Sequence, residues 1–157
     1  MKTFPIILLL SLFIAGCAGS DVINDLNDDV EQISDPKERK QKAFEHFLNG
    51  SIAQNKNDFA TAIQEFNTAL IYDTSAGIYF ALAKNYLNIN KLSNARKYAS
   101  LSVKLDSTEI EYLDLLANVF IQARENDSAA VVLEKIIEVD PSNLNTYYKL
   151  GRIYEDS

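Results

Sequence analysis

Three six-residue segments of this chain fall at spacings of 33 and 34 residues: Asn57-Asp58-Phe59-Ala60-Thr61-Ala62, Asn90-Lys91-Leu92-Ser93-Asn94-Ala95 and Arg124-Glu125-Asn126-Asp127-Ser128-Ala129. Each closing alanine is followed eleven residues later by an aspartate, Asp73, Asp106 or Asp140. A fixed period of this length marks one supersecondary unit used several times, each copy burying its apolar face only by stacking on a neighbour. From Asp35 on, apolar residues recur at intervals of three and four without strand-like alternation, so the unit is helical. Asp35-Pro36-Lys37-Glu38 supplies a start: a carboxylate acceptor, a proline at the first helical position, and a glutamate at the third.

Inside each unit the large and small residues also keep register. The first helix carries a large residue at His46, Tyr79, Leu113 and Tyr147, a small one at Gly50, Ala83, Ala117 and Gly151, and a late position at Ala53, Tyr86, Phe120 and Tyr154. The second helix carries Ala62, Ala95 and Ala129. Together these residues resemble the tetratricopeptide repeat, a pair of antiparallel helices, A and B, of about 34 residues. The resemblance covers repeats at 43–75, 76–109 and 110–143 and helix A of a fourth at 144–157. It implies an all-α superhelix of about three and a half repeats. The repeat-packing residues it implies are Gly50, Ala62, Tyr79, Ala83, Tyr86, Ala95, Ala117, Phe120, Ala129, Gly151 and Tyr154. The small ones let helix B approach helix A, and the large ones fill the layer between repeats. His46 at a large inter-helix slot reads as a core residue. The fourth helix A is mostly apolar (Leu144, Tyr147, Tyr148, Leu150, Ile153, Tyr154), so it either docks on something or belongs to a longer repeat protein.

The N-terminus has a different character. Lys2 precedes an apolar run from Phe4 to Phe13 and then Ile14-Ala15-Gly16-Cys17, which reads as a secretory signal peptide. The run falls short of the roughly 20 apolar residues that span a bilayer. Ile14 to Cys17 resemble the bacterial lipobox, which implies removal of residues 1–16 and acylation of Cys17 as the mature first residue. Several acyl chains on one cysteine hold firmly to a membrane, since each buried CH2 adds about 0.8 kcal/mol. Ala18, by resemblance to sorted lipoproteins, implies the periplasmic side of the outer membrane.

Residues 17–36 read as a tether. Asp21, Asp25, Asp28, Asp29, Glu31 and Asp35 stand there without a single Lys or Arg, whereas residues 37–157 hold 14 basic and 16 acidic groups. The overall charge of -7 is therefore a property of the spacer, which anionic headgroups repel. Ile23, Leu26, Val30 and Ile33, at steps of three, four and three, would form one stripe of a helix, too short for a coiled coil; a partly disordered segment or a helix packed on the domain are the alternatives. Asp25 to Asp29 is not a calcium loop, because Val30 stands where glycine is needed and Pro36 where the bidentate glutamate belongs.

Composition narrows the chemistry. A net acidic chain disfavours nucleic acid, which needs a basic surface. One His and one Cys exclude most His-based triads, multi-Cys zinc sites and disulfide frameworks, and the five scattered Gly form no phosphate loop. We expect no metal, no cofactor and no enzymatic activity. Carried over by resemblance, the family's peptide-binding groove falls on Phe47, Phe80, Asp114 and Tyr148, one turn on at Ser51, Lys84, Asn118 and Arg152, and further along at Asn55, Asn88 and Gln122. Rings beside amide and cationic groups suit an extended peptide. Some relatives clamp chaperone tails with Lys and Asn at the first repeat's groove sites. Phe47 and Ser51 stand there, so that activity is not carried over. The reading is a lipid-anchored scaffold of the bacterial cell envelope that binds partner proteins in its concave groove. Two others stay open: the docking arm of a longer protein with an enzymatic or sensor domain beyond residue 157, and a self-associating structural lipoprotein, a homo-oligomer.

Overall fold

The computed structural model describes residues 35–155. Among them seven helices follow one another: α1 (Pro36–Asn55), α2 (Phe59–Tyr72), α3 (Ala76–Asn88), α4 (Leu92–Leu105), α5 (Ile110–Gln122), α6 (Asn126–Val139) and α7 (Leu144–Glu155). Successive helices pack as pairs, α1 with α2, α3 with α4 and α5 with α6; each pair stacks on the next, and α7 closes against α6. This is the expected all-α superhelix, with the odd-numbered helices in the A role and the even-numbered ones in the B role. The signal peptide, Cys17, the acidic tether and the Ile23–Ile33 stripe lie outside the described residues.

Asp35 caps α1 by accepting from the Lys37 N–H at 2.9 Å, with Pro36 in the first turn. At 20 residues α1 is the longest helix, against 12 to 14 for the others, and it begins two turns ahead of residue 43. Every A-to-B turn closes the same way. Asn57, Asn90 and Arg124 adopt left-handed φ values of 58°, 56° and 60°. The next N–H reaches back five residues, Asp58 to the Ala53 carbonyl (3.0 Å), Lys91 to Tyr86 (2.8 Å) and Glu125 to Phe120 (2.9 Å). This is the Schellman closure of a helix end. Asparagine tolerates the left-handed region; Arg124 occupies it against a steric penalty.

Aspartates punctuate the rest. The Asp58 carboxylate accepts from the Thr61 N–H at 3.1 Å and starts α2. Asp106 accepts from the N–H groups of Thr108 (3.1 Å) and Glu109 (3.2 Å), and Asp140 from that of Ser142 (3.0 Å). These bonds hold all three carboxyls below their ordinary range: Asp58 through the hydroxyl and N–H of Thr61, Asp106 through the N–H and hydroxyl of Thr108, Asp140 through the hydroxyl and N–H of Ser142.

The core is a string of clusters passed from repeat to repeat. Phe66 and Leu82 centre the first, Ala83, Ala99 and Leu116 the second, and Leu113, Leu133 and Ile136 the third. Ala62, Ala83, Ala95, Ala117 and Ala129 are fully buried. A Cβ placed on Gly50 would lie 2.8 Å from Cε1 of Phe66, so helix approach there requires glycine. In the second repeat Tyr98 of α4 stacks on Tyr79 and Tyr86 of α3, with ring centroids 6.1 and 5.5 Å apart.

Three expectations need correction. Gly151 is not a close-approach site: it is exposed, and nothing lies within 4 Å of an added Cβ. Tyr154 is exposed rather than interleaved, its hydroxyl donating to Glu134 Oε1 at 3.2 Å. Both face the side on which helix B packs in the earlier repeats, and among the described residues no helix follows α7. His46 is only half-buried; its Nδ1 lies 2.8 Å from Glu65 Oε2, and its ring stacks on Tyr72 with centroids 5.8 Å apart. A half-exposed ring with a polar partner retains access to water.

Candidate binding groove

The A helices line the inner face of the superhelix, and most of the groove positions fall into three hollows. The central and largest, of about 590 Å3, is open and lies between α3, α5 and the start of α7. Phe80, Lys84 and Asn88 project from successive turns of α3, Asp114 and Asn118 from α5, and Asn145 enters from α7. Helical spacing of four places 80, 84 and 88 on one stripe. Gln122 extends this region at the far end, beside Asn88 and Asn118.

Phe47 lines a separate hollow of about 350 Å3 with Lys40, Phe44, Asp73 and Ile78. Tyr148 and Arg152 lie in a third of about 110 Å3 with Ile121, Asn126 and Lys149. Ser51 lines none of these and donates its hydroxyl to the Phe47 carbonyl at 2.8 Å. Five of the eleven groove positions, Phe80, Lys84, Asn88, Asp114 and Asn118, are thus brought together in the central hollow, whereas Phe47, Ser51, Tyr148 and Arg152 lie elsewhere.

The aromatic residues divide their surface between packing and the hollow. Phe47 tilts against Phe66 with centroids 5.4 Å apart and is joined to the first core cluster. Phe80 meets Tyr112 of α5 at 5.0 Å and keeps part of its surface toward the central hollow.

The polar groups have different degrees of freedom. Lys84 and Asn88 are exposed and have no hydrogen-bond or ion-pair partner among the described residues. Asn118, in contrast, is held at both ends of its amide: its Nδ2 donates to Asp114 Oδ2 at 3.0 Å, and its Oδ1 accepts from Lys149 Nζ at 2.9 Å. Lys149 also forms an ion pair with Asp114, closing a three-residue ring between α5 and α7. Sequence reasoning missed Lys149. It stands in the register of Ala81 and Leu115, an inward slot, and a charge in such a slot requires a partner. Among the described residues no group of three or more His, Cys, Asp or Glu is placed to hold a metal ion, and no helix is long and apolar enough to cross a membrane.

A sequence model of the tetratricopeptide repeat matches residues 76–109, which comprise α3 and α4. No curated protein sequence matches the chain. Among solved structures, the first tetratricopeptide domain of Spaghetti (RPAP3), bound to the HSP90 peptide SRMEEVD, superposes with a TM-score of 0.71 at 18% identity, over 74% of this chain and 94% of that one. MamA gives 0.70 at 19% identity, over 87% and 81%. YrrB, described as a tetratricopeptide protein with an unusual peptide-binding site, gives 0.68 at 16% identity, over 87% and 71%. At these identities the likeness is one of fold: this chain folds as a tetratricopeptide superhelix.

Proposed function

We propose that this protein is a non-catalytic adaptor that binds an extended segment of a partner protein in its central hollow, while acyl groups on Cys17 hold it to the periplasmic face of a bacterial outer membrane. The observation that carries the binding reading is the α3 stripe Phe80–Lys84–Asn88, in which an apolar ring, an unpaired cation and an unpaired amide follow one another along an open groove. An extended peptide offers the complement: an apolar side chain for Phe80, a carboxylate for Lys84, and backbone N–H and C=O groups for the Asn88 amide. Two of the structural neighbours support the mode, one carrying a bound peptide and the other described by its peptide-binding site. The anchoring reading rests on the Ile14–Cys17 lipobox resemblance.

The test is crosslinking in intact cells, followed by purification from membranes and mass spectrometry. Wild type is compared with a Lys84→Glu, Asn88→Ala double variant, chosen because both side chains are exposed and unpaired, with its native helicity checked by circular dichroism. Capture of a partner by wild type and its loss in the variant supports the groove; identical partners in both refute it. Cys17→Ala in the same cells releases the protein from membranes if the anchor is as proposed.

Self-association is a second reading, favoured by the exposed Leu144, Tyr148 and Tyr154 of α7. Light scattering over a range of concentrations separates it from a monomeric adaptor.

A further inference from the structure

The charged groups around the central hollow differ in how far they are already engaged. Asp114, on the α5 wall, is tied to Lys149. The acids that precede it close turns: Asp106 accepts from the N–H groups of Thr108 and Glu109, and Glu109 from that of Glu111 at 3.3 Å. Lys84 of α3 and Glu111 of α5 remain. Both line the hollow and are exposed, and neither side chain has a hydrogen-bond or ion-pair partner among the described residues. The Tyr112 hydroxyl is shifted upward, first by burial and then by the negative charges of Glu109, Asp106 and Glu111, which marks the start of α5 as the negative side. The hollow thus has a free cation on one wall and a free anion on the other.

Their separation has a use. Glu111 stands one repeat after Gly77 in the same register, seven residues nearer the start of its helix than Lys84 is. That offset is about 10 Å along the axis. α3 and α5 pack directly on each other, and packed helices lie about 8–10 Å apart. The diagonal from Lys84 to Glu111 is therefore about 14 Å. Phe80 falls on it: it lies one turn before Lys84 on α3, and its ring meets Tyr112 of α5 at 5.0 Å. Extended chain advances about 3.3 Å per residue and turns every second side chain to the same face. Four steps cover about 13 Å, with residues i, i+2 and i+4 all facing the groove.

We propose that the central hollow selects extended partner segments with an acidic, an apolar and a basic residue at alternate positions: the acid against Lys84, the apolar side chain on Phe80 and the base against Glu111. This rests on the reading of the hollow as a peptide site and adds Glu111 to it as a specificity-determining residue. The two intervening side chains point away from the walls and are free to vary. A segment with two acids brings one of them against Glu111, and a segment with two bases brings one against Lys84. Like charges reject both. Asn88 and Asn145, exposed on either side of the path, are left to the peptide backbone.

Selection from a displayed library of random dodecapeptides tests the proposal, with the full chain, purified as its cells make it, as bait. Wild type is expected to enrich the acid-x-apolar-x-base spacing, in one shared chain direction, by about fivefold at each charged position over the unselected library. Glu111→Gln is expected to lose the preference for the base and keep that for the acid. The charge-exchanged Lys84→Glu, Glu111→Lys variant is expected to enrich the same spacing in the opposite chain order. All substitutions fall at exposed positions, and circular dichroism confirms the helicity of each variant. Peptides that lack the spacing, or that Glu111→Gln enriches equally, overturn the proposal. They leave the groove reading in place if the Lys84→Glu, Asn88→Ala variant no longer enriches them. Enrichment of no peptide at all, or of peptides that this last variant still holds, overturns the groove reading and the proposal with it.

Discussion

Gly50 and Gly151 stand in the same register of the repeat, and replacing each with alanine should move stability in opposite directions. In a helix interior alanine is favoured over glycine by about 0.5–1 kcal/mol, because glycine loses more backbone freedom on folding. At Gly151 nothing lies within 4 Å of the new methyl, so the helix preference stands alone. Four residues from the described end of α7, part of it is lost to fraying, which leaves a gain of about 0.5 kcal/mol. At Gly50 the methyl would sit 2.8, 2.9 and 3.0 Å from three atoms of the Phe66 ring. Carbon atoms rest at about 3.5–4.0 Å, so ring or helix must yield by most of an ångström. Phe66 is fully buried between Gly50 and the first core cluster and has little room to turn. Overpacking of this kind costs about 1–3 kcal/mol, which outweighs the helix preference and leaves a net loss of about 1–2 kcal/mol.

Urea and thermal unfolding followed by far-ultraviolet circular dichroism will resolve both effects. For a domain of this size each kcal/mol moves Tm by roughly 3–6 °C, so Gly50→Ala should melt several degrees below wild type and Gly151→Ala one to a few degrees above. Unchanged urea m-values would show that the folded state has shifted and the unfolded state has not. Phe66→Leu, which removes the ring, should destabilise less in the Gly50→Ala background than in wild type, a positive coupling between the two sites. Gly50→Ala at or above wild-type stability refutes the reasoning, for it would mean that α1 and α2 separate freely. A loss at Gly151 also refutes it, by showing that something packs on that face of α7.

Arg124→Gly should raise the unfolding free energy measured in urea by about 0.5–1 kcal/mol, because Arg124 holds a φ of 60° that glycine adopts without strain; no gain means the turn relaxes in solution. Asp58, Asp106 and Asp140 have carboxyls lowered by hydrogen bonding, so their contribution is present above the unfolded carboxylate value of about 3.9 and is lost as pH falls through the folded values. Urea midpoints between pH 2 and 7 should therefore fall on the acid side, and replacing all three with alanine should lower the pH 7 midpoint and flatten that fall. Tyr98 is shifted upward, first by burial and then by its neighbours Tyr86 and Tyr79, so its contribution is present below the ordinary tyrosine value of about 10 and is lost as pH rises through the folded one. Circular dichroism from pH 9 to 12 should show Tyr98→Phe unfolding later in alkali than wild type.

The parts of the fold that were legible in the sequence are those where geometry allows few residue types. Ala62, Ala83, Ala95, Ala117 and Ala129 are fully buried because two helix backbones approach there, and nothing larger fits. The six-residue segments that set the period open on Asn57, Asn90 and Arg124, the three left-handed residues, so the period marks the turns themselves. Asp35-Pro36 likewise announced the start of α1, while the repeat frame alone placed that start two turns too late. Gly151 and Tyr154 were misread for a different reason. Register states which face a residue occupies, and whether that face has a partner depends on what lies beyond it in the stack.

The same distinction explains the groove. Family register gives four equivalent A-helix slots, Phe47, Phe80, Asp114 and Tyr148, and treats them as one surface. Their availability is decided by neighbours that register does not reveal. The first ring leans on Phe66 and is half core. The third slot, Asp114, is tied with Asn118 to Lys149, a lysine 35 residues further along the chain that superhelical stacking brings across from α7. That ring binds the fourth A helix to the third and uses the polar groups a partner would otherwise meet. What remains open is the second repeat's stripe, where Lys84 and Asn88 keep their hydrogen-bonding capacity and Phe80 keeps an exposed edge. A peptide entering the superhelix would therefore be held at its middle, on α3, and the α5–α7 ring would act as the rigid wall against which it lies.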